Sequence, residues 1–393
     1  MKKILSLFFI SIMVLLVFAE TASAIPAFAR KYRMSCQTCH SPVPRLKAYG
    51  DEFAGNGFVL ADKDAPRYFV ETGDEELSLI RNFPIATRVE AHVTYRTDEP
   101  KRSDFKTPYL VKLLSGGALA ENLAYYFYMY FDERGEVAGV EDAYLMFNNL
   151  FNSELDIYVG QFQISDPLFK RELRLTLEDY QIYKTKVGMS NFNLAYDRGL
   201  MLTYGFDSGT DIIVEVLNGN GLQDADSEKM FDIDNHKNLF GRISQDVSEF
   251  LRVGTFGYYG KETNEINSGI FENKMTMFGV DLTLAHNDIL ELNLQYVQRK
   301  DDWNYTEPFY KETESETKGA LAELVWTPNG DESKWYGVGL FNWVESDDKT
   351  QNYKSVSGHI GHVLRRNFRI VGELKYDIKQ EYVQVGMGFI TAF

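Results

Sequence analysis

Residues 290–296 read Leu-Glu-Leu-Asn-Leu-Gln-Tyr, an unbroken alternation of apolar and polar side chains. Successive side chains of a β-strand point to opposite faces, so this period of two predicts a strand with one apolar and one polar face. The same alternation recurs at 155–159, Leu-Asp-Ile-Tyr-Val, and at 370–376, Ile-Val-Gly-Glu-Leu-Lys-Tyr. The pattern therefore predicts an all-β fold for the large C-terminal part of the chain.

Sixteen such segments fit between residues 85 and 393, and an even number is expected of a single-chain bacterial barrel. Short turns alternate with longer connections, which predicts that both termini lie in the periplasm and that the longer connections lie outside the cell. Those connections are expected at 97–106, 163–193, 219–236, 262–272, 300–317 and 345–353. The strand centres are expected near Ala91, Val111, Tyr128, Tyr144, Ile157, Leu202, Val214, Ile243, Phe256, Val280, Leu292, Ala322, Val338, Gly358, Ile370 and Met387.

Two further features indicate that the apolar face of this sheet meets lipid rather than a soluble core. The chain contains 24 Tyr and 28 Phe, as expected for the aromatic girdles of a transmembrane barrel. The last strand alternates to a terminal Phe393, which resembles the C-terminal signal of bacterial outer-membrane proteins. Residues 85–393 are therefore predicted to form a transmembrane antiparallel β-barrel of about 16 strands, in contact with membrane lipid in the bacterial outer membrane.

The first residues predict export. Lys2 and Lys3 precede an apolar run at 4–18, and Ala22-Ser23-Ala24 matches a small-residue cleavage site. This arrangement is typical of a secretory signal peptide, assigned here to residues 1–24. Three segments follow from this division: the signal peptide, a small module at 25–84, and the barrel at 85–393.

The small module contains Cys36-Gln-Thr-Cys39-His40, and its two cysteines are the only two of the chain. C-x-x-C-H is the attachment motif of c-type haem: the two thiols add to the porphyrin vinyl groups and the histidine binds iron. A redox disulfide, a structural disulfide and a zinc site are the alternatives, but none of them requires a histidine directly after the second cysteine. The sequence predicts one covalent haem c, held by Cys36 and Cys39, with His40 as the proximal iron ligand.

The sixth iron ligand is not evident from the motif. If Val89 and Val93 face lipid, His92 faces the lumen, and parity also turns Met146 and His359 inward, so these three are the candidate distal ligands. For each of them an ordinary lumen side chain is the alternative, and an open sixth site is another. The small module has few apolar residues of its own, which predicts that it folds into the lumen as a plug.

A resemblance to a known family rests on residues around the motif. The fused monohaem cytochrome–porins of the outer membrane, whose best-known members are linked to ferrous iron oxidation, have a similar N-terminal segment. It covers Ile25-Pro-Ala-Phe-Ala-Arg30, the C-x-x-C-H motif, Pro44-x-Leu46, Tyr49-Gly50, Phe53 and Gly57-Phe58. The resemblance implies electron transfer across the outer membrane, between a periplasmic electron carrier and an extracellular partner such as Fe(II) or another donor or acceptor.

Other functions are disfavoured or left open by the sequence. The net charge of −16 argues against nucleic acid as a partner, and no hydrolase or nucleotide-binding motif is present. A haem-containing porin for passive solute passage or sensing is the alternative to an electron conduit. Whether the protein is an enzyme, a ferrous iron oxidoreductase, is left open.

Overall fold

The computed structural model describes residues 27–60, 83–98, 100–133, 139–188, 190–232, 234–266, 269–302 and 314–393, with parts of 70–81 and 304–311. The predicted signal peptide lies outside the described residues. No helix within these ranges is long and apolar enough to cross a membrane.

Sixteen strands form one closed antiparallel barrel, in which neighbours along the chain are neighbours in the sheet and β1 pairs with β18. Each predicted strand centre falls within one of these strands, so the predicted barrel is confirmed. Strands β12 (Asn304–Thr306) and β13 (Phe309–Lys311) form a separate hairpin. The barrel strands are β1 (Ile85–Arg96), β2 (Arg102–Ala120), β3 (Leu123–Glu133), β4 (Val140–Leu150), β5 (Leu155–Gln163), β6 (Tyr196–Gly205), β7 (Thr210–Leu217), β8 (Asn238–Ser248), β9 (Leu251–Ile266), β10 (Gly269–His286), β11 (Leu290–Asp301), β14 (Ser315–Trp326), β15 (Trp335–Ser346), β16 (Tyr353–Arg365), β17 (Phe368–Asp377) and β18 (Tyr382–Ala392).

The alternation in the sequence separates an outer apolar surface from a polar interior. In β16, Ser357 and His359 are buried inside the barrel, whereas Val356 and Ile360 are exposed on its outer surface. Charged side chains also face inward, and Arg242 of β8 makes two 2.8 Å hydrogen bonds to the carboxylate of Asp281 on β10. An outward apolar face and a polar lumen are the arrangement of a transmembrane barrel.

The two ends of the barrel differ in their connections. At the turn end, where the chain enters β1 and leaves β18, the connections are 121–122, 151–154, 206–209, 249–250, 287–289, 327–334 and 366–367. Most are tight turns; the longer 327–334 contains a 3₁₀ turn, Gly330–Glu332. The opposite end, the loop end, has the longer connections, as the sequence predicts.

Two of the predicted external connections differ from the structure, 163–193 in its direction and 262–272 in its length. The sequence predicts that the connection at 163–193 lies outside the cell. In the structure, residues 164–195 instead fold into the barrel, and we call them the inner loop. Buried apolar side chains explain this direction, because Ile164, Ile182 and Phe192 pack against the barrel wall. The connection at 262–272 is also mostly strand, since β9 continues to Ile266 and β10 begins at Gly269.

The largest apolar core lies between the inner loop and the wall. The inner loop contributes Tyr183, which is fully buried and lies on a short helix, Gln181–Lys184. The wall contributes Phe240, Phe256 and Met275 from strands β8 to β10. Close approach requires a glycine at 319, since a Cβ there would lie 2.4 Å from Ile182 Cδ1. The inner loop is therefore a packed part of the interior.

The N-terminal segment, residues 27–60, contains two helices, α1 (Ala27–Tyr32) and α2 (Ala48–Gly55), and a 3₁₀ turn at Cys36–Thr38. The sequence predicts one short helix over 46–53, and α2 covers most of that range. Aromatic rings hold the segment together: Phe28 stacks on Phe58 with centroids 4.9 Å apart and meets Phe53 edge-on at 5.4 Å. A cluster of rings thus supplies much of the small core.

The lipid-facing surface can be tested at one position near the middle of a strand. Ile360 is 52% exposed on the outer face of β16. Ile360→Arg is expected to lower the free energy of unfolding by about 2–4 kcal/mol, because a cation near the bilayer midplane is poorly solvated. Denaturant unfolding in phospholipid vesicles, followed by Trp fluorescence, measures this change.

The matched control is Ile378→Arg, just beyond the end of β17. A cation near the interface costs only about 0–1 kcal/mol. Equal effects of the two substitutions would contradict the assignment of the Ile360 face to lipid.

Candidate functional site

The cysteine motif lies on one tight turn of the N-terminal segment. Ser35 caps this turn, with its hydroxyl accepting from the Gln37 amide at 3.3 Å, and the His40 amide donates to the Cys36 carbonyl at 3.0 Å. Cys36 and Cys39 are free, partly buried thiols. Burial raises the pKa of both thiols above the usual range. The turn thus holds Cys36, Cys39 and His40 on one short, hydrogen-bonded stretch of backbone.

The His40 ring is held by the backbone that follows it. Its Nδ1 lies 2.9 Å from the Pro44 carbonyl oxygen. Because a carbonyl only accepts, Nδ1 carries the proton in the neutral ring, and the lone pair lies on Nε2. Burial lowers the pKa of His40, which favours that neutral form. Metal-ligating histidines usually have this arrangement, with the second ring nitrogen bonded to a carbonyl or carboxylate.

Helix α2 packs directly under the motif. The Lys47 amide donates to the Cys39 carbonyl at 2.9 Å, and Gly50 lies so close to that carbonyl that a Cβ there would be 2.4 Å from its oxygen. Only glycine allows this approach without movement of the backbone. The position of the second cysteine therefore depends on Gly50.

Contacts of the N-terminal segment reach several sides of the barrel. Lys47 pairs with Asp331 in the 327–334 turn, and the Gln37 side chain donates to the Asp331 carbonyl at 2.6 Å. Arg45 pairs with Glu291 of β11. On another side, the ring of Phe58 stacks on Tyr126 of β3 at 5.4 Å. These contacts hold the segment at the turn end of the barrel.

A narrow cleft with about 40 Å³ of free space opens beside the motif, between the N-terminal segment and the wall. Cys36 and His40 line one side of it. The wall supplies apolar side chains, namely Val363, Phe368 and Ile390, and three cations, Arg88, Arg366 and Arg369. Haem is a flat apolar macrocycle with two carboxylate side chains. The Cys36 thiol, a neutral imidazole, apolar walls and guanidinium groups are chemistry that suits such a group, so the lining residues fit it.

The three candidate distal ligands are all buried inside the barrel. His92 of β1 packs edge-on against Tyr109 at 5.1 Å, and His359 of β16 lies 3.0 Å from the Glu373 carboxylate through its Nδ1. Met146 accepts from the Asn148 side chain at 2.8 Å. None of the three is among the residues that line the cleft beside His40. The assignment of a sixth ligand stays a prediction.

The arginines of the cleft and the carbonyl of Pro44 were not foreseen from the sequence. Arg369 has the same parity as Glu373 in β17, so alternation alone places it inside the barrel. Its position beside His40 depends on how the N-terminal segment docks, and no local pattern gives that.

The inner loop crosses the lumen above the N-terminal segment. On one wall, the Tyr180 hydroxyl donates to Glu323 at 2.8 Å and Arg299 donates to the Phe192 carbonyl at 2.7 Å. On the other wall, the Lys112 ammonium lies 3.3 Å from the Glu172 carboxylate. The loop is thus fixed to both sides of the barrel.

Charges within the inner loop are strongly perturbed. Burial alone would raise the pKa of Glu172, but Lys112, Arg174 and Arg171 outweigh it and lower that pKa to about 2. Burial raises the pKa of Asp166 to about 6. Around neutral pH both carboxylates are therefore ionised, and Glu172 remains so well into acid.

Open space remains on each side of the inner loop. Toward the turn end, a vestibule of about 1060 Å³ lies among the N-terminal segment, the inner loop and strands β5 to β11 and β14. Toward the loop end, a smaller one of about 380 Å³ is lined by Lys184, Lys186 and residues 220–223. The inner loop lines both vestibules.

Comparison of the sequence with family models and with curated proteins found no match. Comparison with solved structures found bacterial outer-membrane porins. OmpT of Vibrio cholerae matches with a TM-score of 0.52 at 11% identity, over 79% of this chain and 97% of that one. The anion-selective porin of Comamonas acidovorans has a TM-score of 0.57 at 10% identity, over 79% of this chain and 99% of its own. OmpF of Salmonella typhi, solved in complex with daunomycin, has a TM-score of 0.56 at 9% identity, over 79% of this chain and 97% of its own. At these identities the likeness shows the fold, a porin-like barrel.

The dependence of the motif on Gly50 gives a prediction. Gly50→Ala is expected to push α2 away from the Cys39 carbonyl and to destabilise the N-terminal segment by roughly 1–3 kcal/mol. Hydrogen exchange of the α2 amides measures this as a loss of protection.

The control is Gly55→Ala in the same helix, where a Cβ would meet nothing within 4 Å. Alanine there is expected to keep or slightly raise protection, because it favours helix more than glycine does. Equal loss in both variants would show that helix composition, rather than the contact with Cys39, controls the segment.

Proposed function

We propose that this protein is a monohaem c-type cytochrome joined to an outer-membrane β-barrel, and that it transfers electrons across the outer membrane. The observation that carries the proposal is the C-x-x-C-H turn, with the His40 ring fixed by the Pro44 carbonyl beside a cleft lined by apolar and guanidinium groups. In this proposal residues 25–84 are the cytochrome module, exported by the signal peptide at 1–24.

Attachment of the cofactor needs no oxidant. Each thiol adds across one vinyl group, so that sulfur bonds to one vinyl carbon and a proton goes to the other. Cys36 and Cys39 would hold the macrocycle through their sulfurs, and His40 would supply a nitrogen ligand to its iron. Haem supplies an iron that exchanges one electron between its ferrous and ferric states.

The filled lumen supports transport of electrons over transport of solutes. The N-terminal segment occupies the turn end and the inner loop crosses the barrel from wall to wall. In this proposal the turn end faces the periplasm, so that a periplasmic electron carrier reaches the motif from that side. The extracellular partner is Fe(II) or another donor or acceptor, and the residues are compatible with either direction of flow.

A second candidate is a haem-containing porin for passive solute passage or sensing. The porin-like fold favours it, and so do the two vestibules, which give small solutes room on either side of the inner loop. The two candidates differ in whether the haem-loaded protein conducts ions.

The haem proposal is tested at the cysteines. The double variant Cys36→Ala/Cys39→Ala is expected to lose all covalent haem, seen as loss of haem staining on a denaturing gel. Thr38→Ala, inside the same motif, is expected to keep it. Covalent haem in the double variant would refute the attachment, and a haem band that Fe(II) never reduces would refute the iron-oxidising version.

The choice between conduit and porin is tested in a planar bilayer. The haem-loaded wild type is expected to show no steady open-channel currents, because two packed segments obstruct the lumen. The haem absorbance gives the fraction of the protein that carries haem. Steady ion currents through haem-loaded protein would favour the porin over the conduit.

A further inference from the structure

Arg369 is a buried cation that lacks the usual partner. It lies on the inner face of β17, and only 4% of its surface is exposed to solvent. Its Nη1 donates to the Tyr336 hydroxyl at 2.9 Å, but its Nη2 has no hydrogen-bond partner. In the part of the chain that the structure describes, no carboxylate forms an ion pair with it. Buried charges are normally paired, because removal from water is costly for a lone ion.

Other buried arginines of the barrel follow that rule. Arg242 binds Asp281 at 2.8 Å, Arg299 binds Asp301 at 2.7 Å, and Arg171 of the inner loop binds Asp179 at 2.9 Å. Each of these guanidinium groups meets a carboxylate of this chain. Glu90 of β1 attracts the Arg369 guanidinium but forms its direct ion pair with Arg88, so the Nη2 donor of Arg369 remains available to an anion from outside the chain.

The place of Arg369 points to the kind of anion. Arg369 lines the cleft that Cys36 and His40 also line. Arg88 of β1 lines it as well, and although Arg88 pairs with Glu90, its Nε has no hydrogen-bond partner. Two guanidinium groups with unused N–H donors thus face the same cleft as the haem motif. Guanidinium is the side chain best suited to bind a carboxylate, through two parallel hydrogen bonds.

Resting on the proposed function, we propose that Arg369, assisted by Arg88, binds the carboxylate side chains of the haem that Cys36, Cys39 and His40 hold. The haem carboxylate then supplies the anion that Arg369 lacks, and Arg369 neutralises a charge that the cleft would otherwise bury. Both arginines are positioning residues, because they act on the iron through the macrocycle. A cation at this place favours the ferrous over the ferric state and so raises the reduction potential.

The test uses the full-length, haem-loaded protein in detergent. Arg369→Gln is expected to favour the ferric state by about tenfold, which is a fall of about 59 mV for a one-electron couple. The bending band of the haem carboxylates in the resonance Raman spectrum is expected to move as well, because their hydrogen bonds change. Arg369→Lys keeps the charge but removes the planar guanidinium group that makes two parallel hydrogen bonds, so a smaller fall in the reduction potential is expected.

The charge control is Arg252→Gln, which removes an inward arginine that pairs with Asp211 and Asp246 and does not line the cleft. An unchanged Raman band in Arg369→Gln, or a fall in potential no larger than in Arg252→Gln, would overturn the inference while leaving covalent haem in place. Wild type without covalent haem would overturn the proposed function and this inference together. If Arg369→Gln fails to fold, Arg369→Lys alone decides: an unshifted Raman band overturns the inference.

Discussion

The pairing of β1 with β18 is the interaction on which the rest of the structure depends. A lipid bilayer offers no hydrogen-bond partners, so every backbone N–H and C=O at that depth has to be paired within the sheet. Residues from Arg88 to Arg96 pair with residues from Ala392 back to Gln384, and Phe393 exchanges two backbone hydrogen bonds with Thr87. This seam leaves no free edge, and it turns a row of hairpins into an enclosed lumen.

Inside the enclosed lumen, the inward-facing polar side chains of the strands have two kinds of hydrogen-bond partner. On an open sheet these side chains would bind water, whereas here the inner loop and the N-terminal segment compete with water for them. The inner loop does so with an apolar core on one wall and ion pairs on the other. The N-terminal segment enters next to β1 and therefore remains near the seam. That is why the cleft beside His40 has Arg88 of β1, Arg369 of β17 and Ile390 of β18 in its wall.

A feature could be predicted from the sequence where it depends on neighbouring residues, and could not where it depends on contacts between distant parts of the chain. Strand alternation is local, so all sixteen strand centres could be located from the sequence, and the motif at 36–40 is local as well. The inner loop was missed because its length and polarity resemble an external loop, and its direction is set by apolar contacts such as Ile182 with the wall at Gly319. The place of Arg369 beside His40 is a result of docking, and the Pro44 carbonyl reaches His40 through a local turn that has no periodic pattern in the sequence. Strand alternation places three candidate ligands, His92, Met146 and His359, on the inward face of the sheet. It does not tell how far any of them lies from His40.

The composition of the cleft also constrains the order in which this protein can assemble. Its walls come from the beginning and the end of the chain, which meet only when β1 pairs with β18, and contacts of such long sequence separation form late in folding. In the proposed function, attachment of haem to Cys36 and Cys39 needs nothing from the barrel, so a chain that carried haem would reach the membrane with that haem still exposed to solvent. Closure of the last strand would then complete the cleft beside His40, so that the surroundings of His40 and the insertion of the barrel would be completed together.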